Sequence, residues 1–220
     1  MTLRPDTFAQ LVGLCGGVLL LTAVLLVWHR SVSAAVRALA GQGTAVAVLA
    51  TVIGVFEGEP ELIGIAAVVF ALKGLVIPLV LARAAAASPS TRDEAPIINT
   101  TAALLWTAVL TMTAYVVAQP VAALSPGPAA GALPVGFALV LIGFLLLMIR
   151  RHALGQVTGF LVLDNGIAAI AFLTVGGVPL VVEIGVSLDV LLIVLILYVV
   201  TNRMATSGVV DLDDLRELHD

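Results

Sequence analysis

The chain contains little charge, few aromatic residues and a single cysteine. Charged residues make up 11% of its 220 residues and aromatic residues 5%, whereas apolar residues make up 61%. The one cysteine, Cys15, lies inside an apolar run, which excludes both a disulfide framework within the chain and a cluster site built from several cysteines. We expect Cys15 to pack against lipid or a neighbouring helix.

Basic residues are also scarce and form no patch, which excludes nucleic-acid binding. A soluble domain is about half apolar and about a quarter charged, so a mean hydropathy of +1.18 predicts an all-α integral membrane protein. The net charge of −4 carries little information, because the acids cluster in loops and in the tail. The acids of the tail are Asp211, Asp213, Asp214, Glu217 and Asp220.

Seven segments are long and apolar enough to cross a bilayer, which takes about 20 residues of helix. They are Phe8–Trp28, Val32–Phe56, Leu62–Arg83, Ile97–Ala118, Ala132–Ile149, Ala153–Val175 and Leu180–Thr201. The second is the weakest, because Arg37 and the run Gly41-Gln42-Gly43 interrupt its first half. Pro134 is expected in the first turn of the fifth. The first apolar run is too long for a signal peptide, so we expect it to be retained.

The basic residues predict the orientation, because they accumulate in short cytoplasmic loops. They follow the first, third, fifth and seventh spans, whereas the other side carries only Arg4 and several glutamates. The N-terminus is therefore predicted outside and the C-terminus in the cytoplasm, in the plasma (inner) membrane. The basic residues concerned, with two histidines, are His29, Arg30, Arg37, Arg83, Arg92, Arg150, Arg151, His152, Arg203 and Arg216.

Residues 1–220 are predicted to form a single membrane domain. It divides into a three-helix block (1–96), a spacer helix and loop (97–130), a second three-helix block (131–205) and an acidic cytoplasmic tail (206–220). Residues 30–83 and 151–203 show a weak duplication, each being two spans with one charge inside the second. The alternative is that any two apolar hairpins look alike.

Three ionisable residues, Lys73, Asp164 and Asp189, lie near the middle of predicted spans. A helix rises about 1.5 Å per residue, which places them roughly 15–20 Å from the cytoplasmic ends. A charge at that depth is costly and is tolerated mainly where it faces a protein interior or a wet path. A tight turn joins the sixth and seventh spans, so Asp164 and Asp189 are predicted to face each other across one helix pair.

Buried carboxylates can bind and release protons near neutral pH, which makes the two aspartates candidate proton-relay residues. Lys73 is a third candidate, which can exchange a proton with them or form an ion pair. The structural alternative is that the acids only hydrogen-bond neighbouring helices and that Lys73 is a static partner. Glu183, near the outer end of the seventh span, is either a relay member or a solvated interfacial charge. Three polar residues of the sixth span are candidates either for a polar track or for ordinary contacts between helices: Gln156, Thr158 and Asn165.

Signatures of an enzyme active site are missing from the sequence. The three histidines lie at membrane boundaries or in the tail without a Glu or Cys at ligand spacing, and no glycine-rich phosphate loop is present. We therefore expect no catalytic residues, no metal site and no cofactor in this chain.

Three stretches resemble the E component of formate-hydrogenlyase-type (group 4) membrane-bound hydrogenases. They are Ala71–Pro78 (ALKGLVIP), Gly159–Ile167 (GFLVLDNGI) and Glu183–Leu191 (EIGVSLDVL). The last three spans and the acidic ending are also similar to the K-type subunit of complex I and the C-type subunit of Mrp antiporters. Those K-type subunits usually carry Glu at the two buried positions, where this chain has Asp164 and Asp189.

The resemblance implies a non-catalytic membrane subunit of a hydrogenase-like or complex I-like respiratory complex that contributes buried carboxylates to proton translocation or coupling. Its partners would be other membrane and peripheral subunits and the lipid bilayer, and nickel-iron and iron-sulfur centres would belong to those subunits. Two other interpretations stay open: a cation/proton antiporter subunit or small secondary transporter, and a structural membrane anchor.

Overall fold

The computed structural model describes residues 4–29, 31–86, 97–124, 129–151 and 153–175. Within these ranges the chain forms six helices that are long and apolar enough to cross a membrane. They are α1 (Pro5–Trp28), α2 (Val32–Glu57), α3 (Pro60–Ala86), α4 (Thr100–Leu124), α5 (Leu133–Ile149) and α6 (Ala153–Val175). A 3-10 turn over Ala130–Ala132 precedes α5 and extends it to the length of a span. The predicted seventh span, the acidic tail, Asp189 and Glu183 lie outside the described residues.

Helix α2 lies at the centre of the first half of the bundle. It packs against α1, α3 and α6, while α5 packs against α1, α4 and α6. The predicted interruption at Gly41-Gln42-Gly43 does not break α2, because Gln42 is buried and hydrogen-bonded and Gly43 allows a neighbouring backbone to approach. The helix ends at Glu57 and is capped by Gly58, whose φ of 76° favours glycine, and Pro60 then begins α3.

Helices α5 and α6 approach each other closely through glycines on both surfaces. A Cβ added at Gly143 of α5 would lie 2.6 Å from the Leu163 nitrogen, and one at Gly166 of α6 would lie 2.7 Å from the Val140 nitrogen. Small residues at helix contacts let backbones approach within a membrane. As predicted, Pro134 lies in the first turn of α5. This close contact sets the distance between α5 and α6.

Helix α4 carries large apolar side chains that the described residues leave exposed. Met112 is 74% exposed and Val116 is 68% exposed. The predicted span ended before Pro120, but the helix continues through it to Leu124. Proline removes one backbone hydrogen bond without removing the apolar run on either side of it. An exposed apolar surface of this kind is ordinary for a helix that faces lipid or another membrane helix.

Arg150, at the end of α5, has a packing role that its position in the sequence did not predict. The side chain is 8% exposed, and its Nη2 donates to the carbonyls of Leu26 at 2.8 Å and His29 at 3.0 Å. These carbonyls belong to the end of α1, where the last helical turn leaves acceptors unpaired. Arg150 therefore joins the ends of two helices.

Candidate functional site

Lys73 and Asp164 form an ion pair in the interior of the bundle. Lys73 Nζ lies 2.8 Å from Asp164 Oδ2, and the two side chains are 3% and 7% exposed. Each charge is compensated by the other in surroundings where an isolated charge would be very costly. At an effective dielectric constant of about 20, their attraction is about 6 kcal/mol before the cost of desolvating both groups is subtracted.

Both residues stand at the midpoint of their helices. Asp164 has eleven residues of α6 on either side, and Lys73 has thirteen residues of α3 on either side. At about 1.5 Å per residue, each lies more than about 15 Å from either helix end. The predicted position of both residues at the middle of their helices is therefore observed, and Lys73 forms the ion pair that was one of its two predicted options. Their depth in a bilayer stays a prediction.

Lys73 lies on a π-helical turn, which was not predicted from the sequence. Helix α3 is α-helical over Pro60–Val69, π-helical over Phe70–Val76 and α-helical again over Ile77–Ala86. The Ile77 N–H donates to the Leu72 carbonyl, five residues back, as a π-turn requires. Short π-helical turns within α-helices occur frequently at functional sites.

Pro78 provides a local reason for this widened turn. It has no N–H to donate to the carbonyl four residues earlier, at Gly74, and its ring crowds that carbonyl. A helix in this situation bends or widens the preceding turn. In the sequence, Pro78 indicates an irregular turn near Lys73 without specifying its π-helical form.

Gly43 of α2 brings a second backbone against Lys73. A Cβ at this position would lie 2.5 Å from the Lys73 carbonyl carbon, closer still to its oxygen, and 2.9 Å from the Gly74 nitrogen. Real side chains do not approach a backbone so closely, so the contact requires glycine at position 43. The peptide that carries the lysine is therefore held directly against α2.

A pair of buried amides lies beside the ion pair. Asn165 Nδ2 donates to Gln42 Oε1 at 3.0 Å, and Gln42 Nε2 donates to the Leu19 carbonyl at 3.4 Å. Gln42 is fully buried and Asn165 is 4% exposed. The sequence predicts Asn165 as a member of a polar track, whereas it predicts Gln42 only as an interruption of its span. A glutamine in the interior of an apolar span was the signal for this residue.

The other predicted polar residues do not join this cluster. Thr158 Oγ1 donates to the Leu154 carbonyl of its own helix at 2.9 Å, and Gln156 Nε2 donates to the Arg150 carbonyl at 3.3 Å. The predicted contact between Asp164 and Asp189, and the role of Glu183, fall on residues that the structure does not describe. Across the described ranges, no three His, Cys, Asp or Glu side chains come together as metal ligands.

The fold and the site define a class: an all-α, multi-pass membrane protein with a charge pair at the middle of two membrane-length helices. The chain is 47% identical over 215 residues to the uncharacterized protein Rv0085 of Mycobacterium tuberculosis, a match covering 97% of this chain and 98% of that protein. It belongs to the same family as Rv0085.

A more distant similarity connects the chain to a hydrogenase component. It is 26% identical over 214 residues to Hydrogenase-4 component E of Escherichia coli K12, and equally to that of Shigella flexneri, over 96% of this chain and 99% of the relative. The predicted resemblance to an E component is thus confirmed across nearly the whole chain. Its group 4 assignment, and the K-type and C-type resemblances, stay predictions. No family model and no solved structure matches the chain.

Proposed function

We propose that this protein is a membrane subunit of a hydrogenase-like or complex I-like respiratory complex, in which Lys73 and Asp164 take part in proton translocation or coupling. The observation that carries the proposal is their 2.8 Å ion pair at the midpoint of two membrane-length helices. The similarity to Hydrogenase-4 component E supports the type of complex. Intramembrane ionisable residues of this kind commonly belong to ion or proton pathways.

The geometry suits a proton transfer within the pair. Because Nζ and Oδ2 are at hydrogen-bond distance, a proton that passes from Lys73 to Asp164 converts the ion pair into a neutral amine and a neutral acid. A charge that arrives nearby favours one of these two states over the other. In this proposal Asp189 and Glu183 are further residues that bind and release protons. The ion pair would respond to their change in charge and transmit that change to a partner subunit.

Redox chemistry belongs to the partner subunits in this proposal. Iron-sulfur clusters are held mainly by cysteine thiolates, and this chain contains one cysteine. Nickel-iron and iron-sulfur centres would therefore lie in peripheral subunits, with this chain among the membrane subunits in the plasma membrane. The same contact also fits the alternative of a static membrane anchor, because the two charges compensate each other even when no proton is transferred.

We expect the chain to be isolated as part of a complex. Purification through a C-terminal tag in mild detergent should recover other membrane subunits together with a peripheral arm that contains iron-sulfur centres. The measurement is mass spectrometry of the purified assembly together with its electron paramagnetic resonance spectrum. A stable single chain that transports a cation or another solute in liposomes would contradict this proposal and favour the transporter alternative.

We expect the N-terminus outside and the C-terminus in the cytoplasm. Reporter fusions at Pro89 and His219 should both give cytoplasmic signals, because basic residues follow the third and seventh predicted spans. A fusion at Gly58, in the turn between α2 and α3, is the control and should report the opposite side. A periplasmic signal at His219 would contradict the count of seven spans.

A further inference from the structure

We propose that Gln42 is a positioning residue, which holds Asp164 opposite Lys73 through its hydrogen bond to Asn165. This inference rests on the proposed role of the ion pair in proton transfer. It adds the residue that sets the geometry of the pair.

Gln42 connects three helices from a fully buried position. Its Oε1 accepts from Asn165 of α6 at 3.0 Å, and its Nε2 donates to the Leu19 carbonyl of α1 at 3.4 Å. Burying an amide without partners costs free energy, so these two bonds favour one arrangement of the three helices. The link to α6 is made at the residue next to Asp164.

The link to Asn165 sets the rotation of α6. Consecutive side chains project from a helix about 100° apart around its axis. Holding Asn165 against α2 therefore also fixes the direction in which Asp164 projects. A side chain whose end lies about 5 Å from the axis moves by about 2 Å when the helix rotates by about 20°. Such a movement would open the 2.8 Å contact between Asp164 and Lys73.

The next residue of α2 locates the other partner of the pair. Gly43 lies directly against the backbone of Lys73, where a Cβ would be 2.5 Å from the carbonyl carbon. Two consecutive residues of one helix therefore locate both charged residues: Gln42 acts on Asp164 through Asn165, and Gly43 acts on Lys73 through its backbone.

The test exchanges the lengths of the two amide side chains. Gln42→Asn shortens the link by one methylene, whereas Gln42→Asn combined with Asn165→Gln restores its total length. Gln42→Leu removes the amide altogether. Thr158→Val is the matched control, because Thr158 is also buried on α6 but its hydroxyl donates within its own helix.

Two quantities are measured on the assembled complex in lipid vesicles. One is proton-coupled turnover, and the other is the infrared carboxylate band of Asp164, assigned by its loss in Asp164→Asn. We expect Gln42→Asn and Gln42→Leu to lower coupled turnover by about fivefold or more and to shift the band. The paired exchange should restore both quantities, and Thr158→Val should change neither. Adding Gln42→Leu to Asp164→Asn should cause little further loss, because Gln42 acts through Asp164.

The infrared band separates this inference from the proposed function. An unchanged band in Gln42→Asn and Gln42→Leu would overturn the positioning role, even where Asp164→Asn abolishes coupling. The opposite result is also possible: the band shifts in the Gln42 variants, but coupling is unchanged in Asp164→Asn. That result would support the positioning role of Gln42 and overturn the proposed proton transfer. If Gln42→Leu does not assemble, Gln42→Asn and the paired exchange decide the question, because both keep an amide at each position.

Discussion

Asp164→Asn is expected to lower proton-coupled turnover of the assembled complex by about a hundredfold, the usual scale for losing a positioned proton donor or acceptor. Asparagine keeps the shape and the hydrogen-bonding capacity of the side chain, but it cannot carry the transferred proton. Asp164→Glu keeps the carboxyl group and is the matched control. It should retain most of the turnover, because it still carries a carboxyl group that can bind and release a proton.

The ion pair predicts that Asp164→Asn also affects assembly of the complex. If Asp164 had only a structural role and no charged partner, as the sequence alone allows, its replacement by Asn would remove an uncompensated charge and leave assembly intact. In the structure, the replacement leaves the Lys73 ammonium without this carboxylate, and breaking a buried pair costs about 3–5 kcal/mol. Asp164→Asn alone should therefore reduce the amount of assembled complex as well as its coupling.

A double variant separates the two effects. Lys73→Met with Asp164→Asn leaves neither charge behind, so the amount of assembled complex should return towards that of the native chain. Coupled turnover per assembled complex should stay as low as in Asp164→Asn. The measurements are the yield of intact complex by size-exclusion chromatography and turnover normalised to that yield. A double variant that assembles and couples normally would show that the pair is a static anchor.

The spans were predictable from the sequence because hydropathy alone defines them. The predicted sixth span, Ala153–Val175, coincides with α6, and the other described helices begin and end within a few residues of prediction, apart from the extension of α4 past Pro120. A helix that crosses a bilayer needs about 20 apolar residues, so long apolar runs define the spans closely. The orientation depends on loop charges that the helices do not reveal, and it stays a prediction.

The site was predictable only in part. Lys73 and Asp164 were found because charge within an apolar run is conspicuous, but their pairing depends on the packing of α3 and α6 around α2. The sequence favoured a contact between Asp164 and Asp189, since a tight turn makes their spans neighbours. Gln42 was missed because an uncharged amide at the weakest span was interpreted as an interruption rather than as a contact. The duplication that would align Lys73 with Asp189 remains a prediction.

Gly43 was missed for a different reason. Its importance comes from a neighbouring backbone far away in the sequence, and glycine in a membrane helix has many ordinary explanations. Only the three-dimensional contact distinguishes Gly43 from Gly41, two residues earlier. A Cβ at Gly41 would meet Thr22 Cγ2 at an ordinary 3.8 Å, whereas one at Gly43 would meet the Lys73 backbone at 2.5 Å. These two glycines therefore form a matched pair for an experiment.

Gly43→Ala is expected to destabilise the subunit by about 1–3 kcal/mol, because the added methyl group forces the backbones of α2 and α3 apart. Gly41→Ala should be neutral or more stable, since alanine favours helix over glycine by about 0.5–1 kcal/mol. Thermal unfolding of the purified complex, monitored for this subunit, measures both effects. In Gly43→Ala the displacement of Lys73 should also weaken its contact with Asp164 and lower coupled turnover. Equal stability and turnover in the two variants would contradict the close contact between α2 and the π-helical turn. In that case α2 would not determine the position of Lys73.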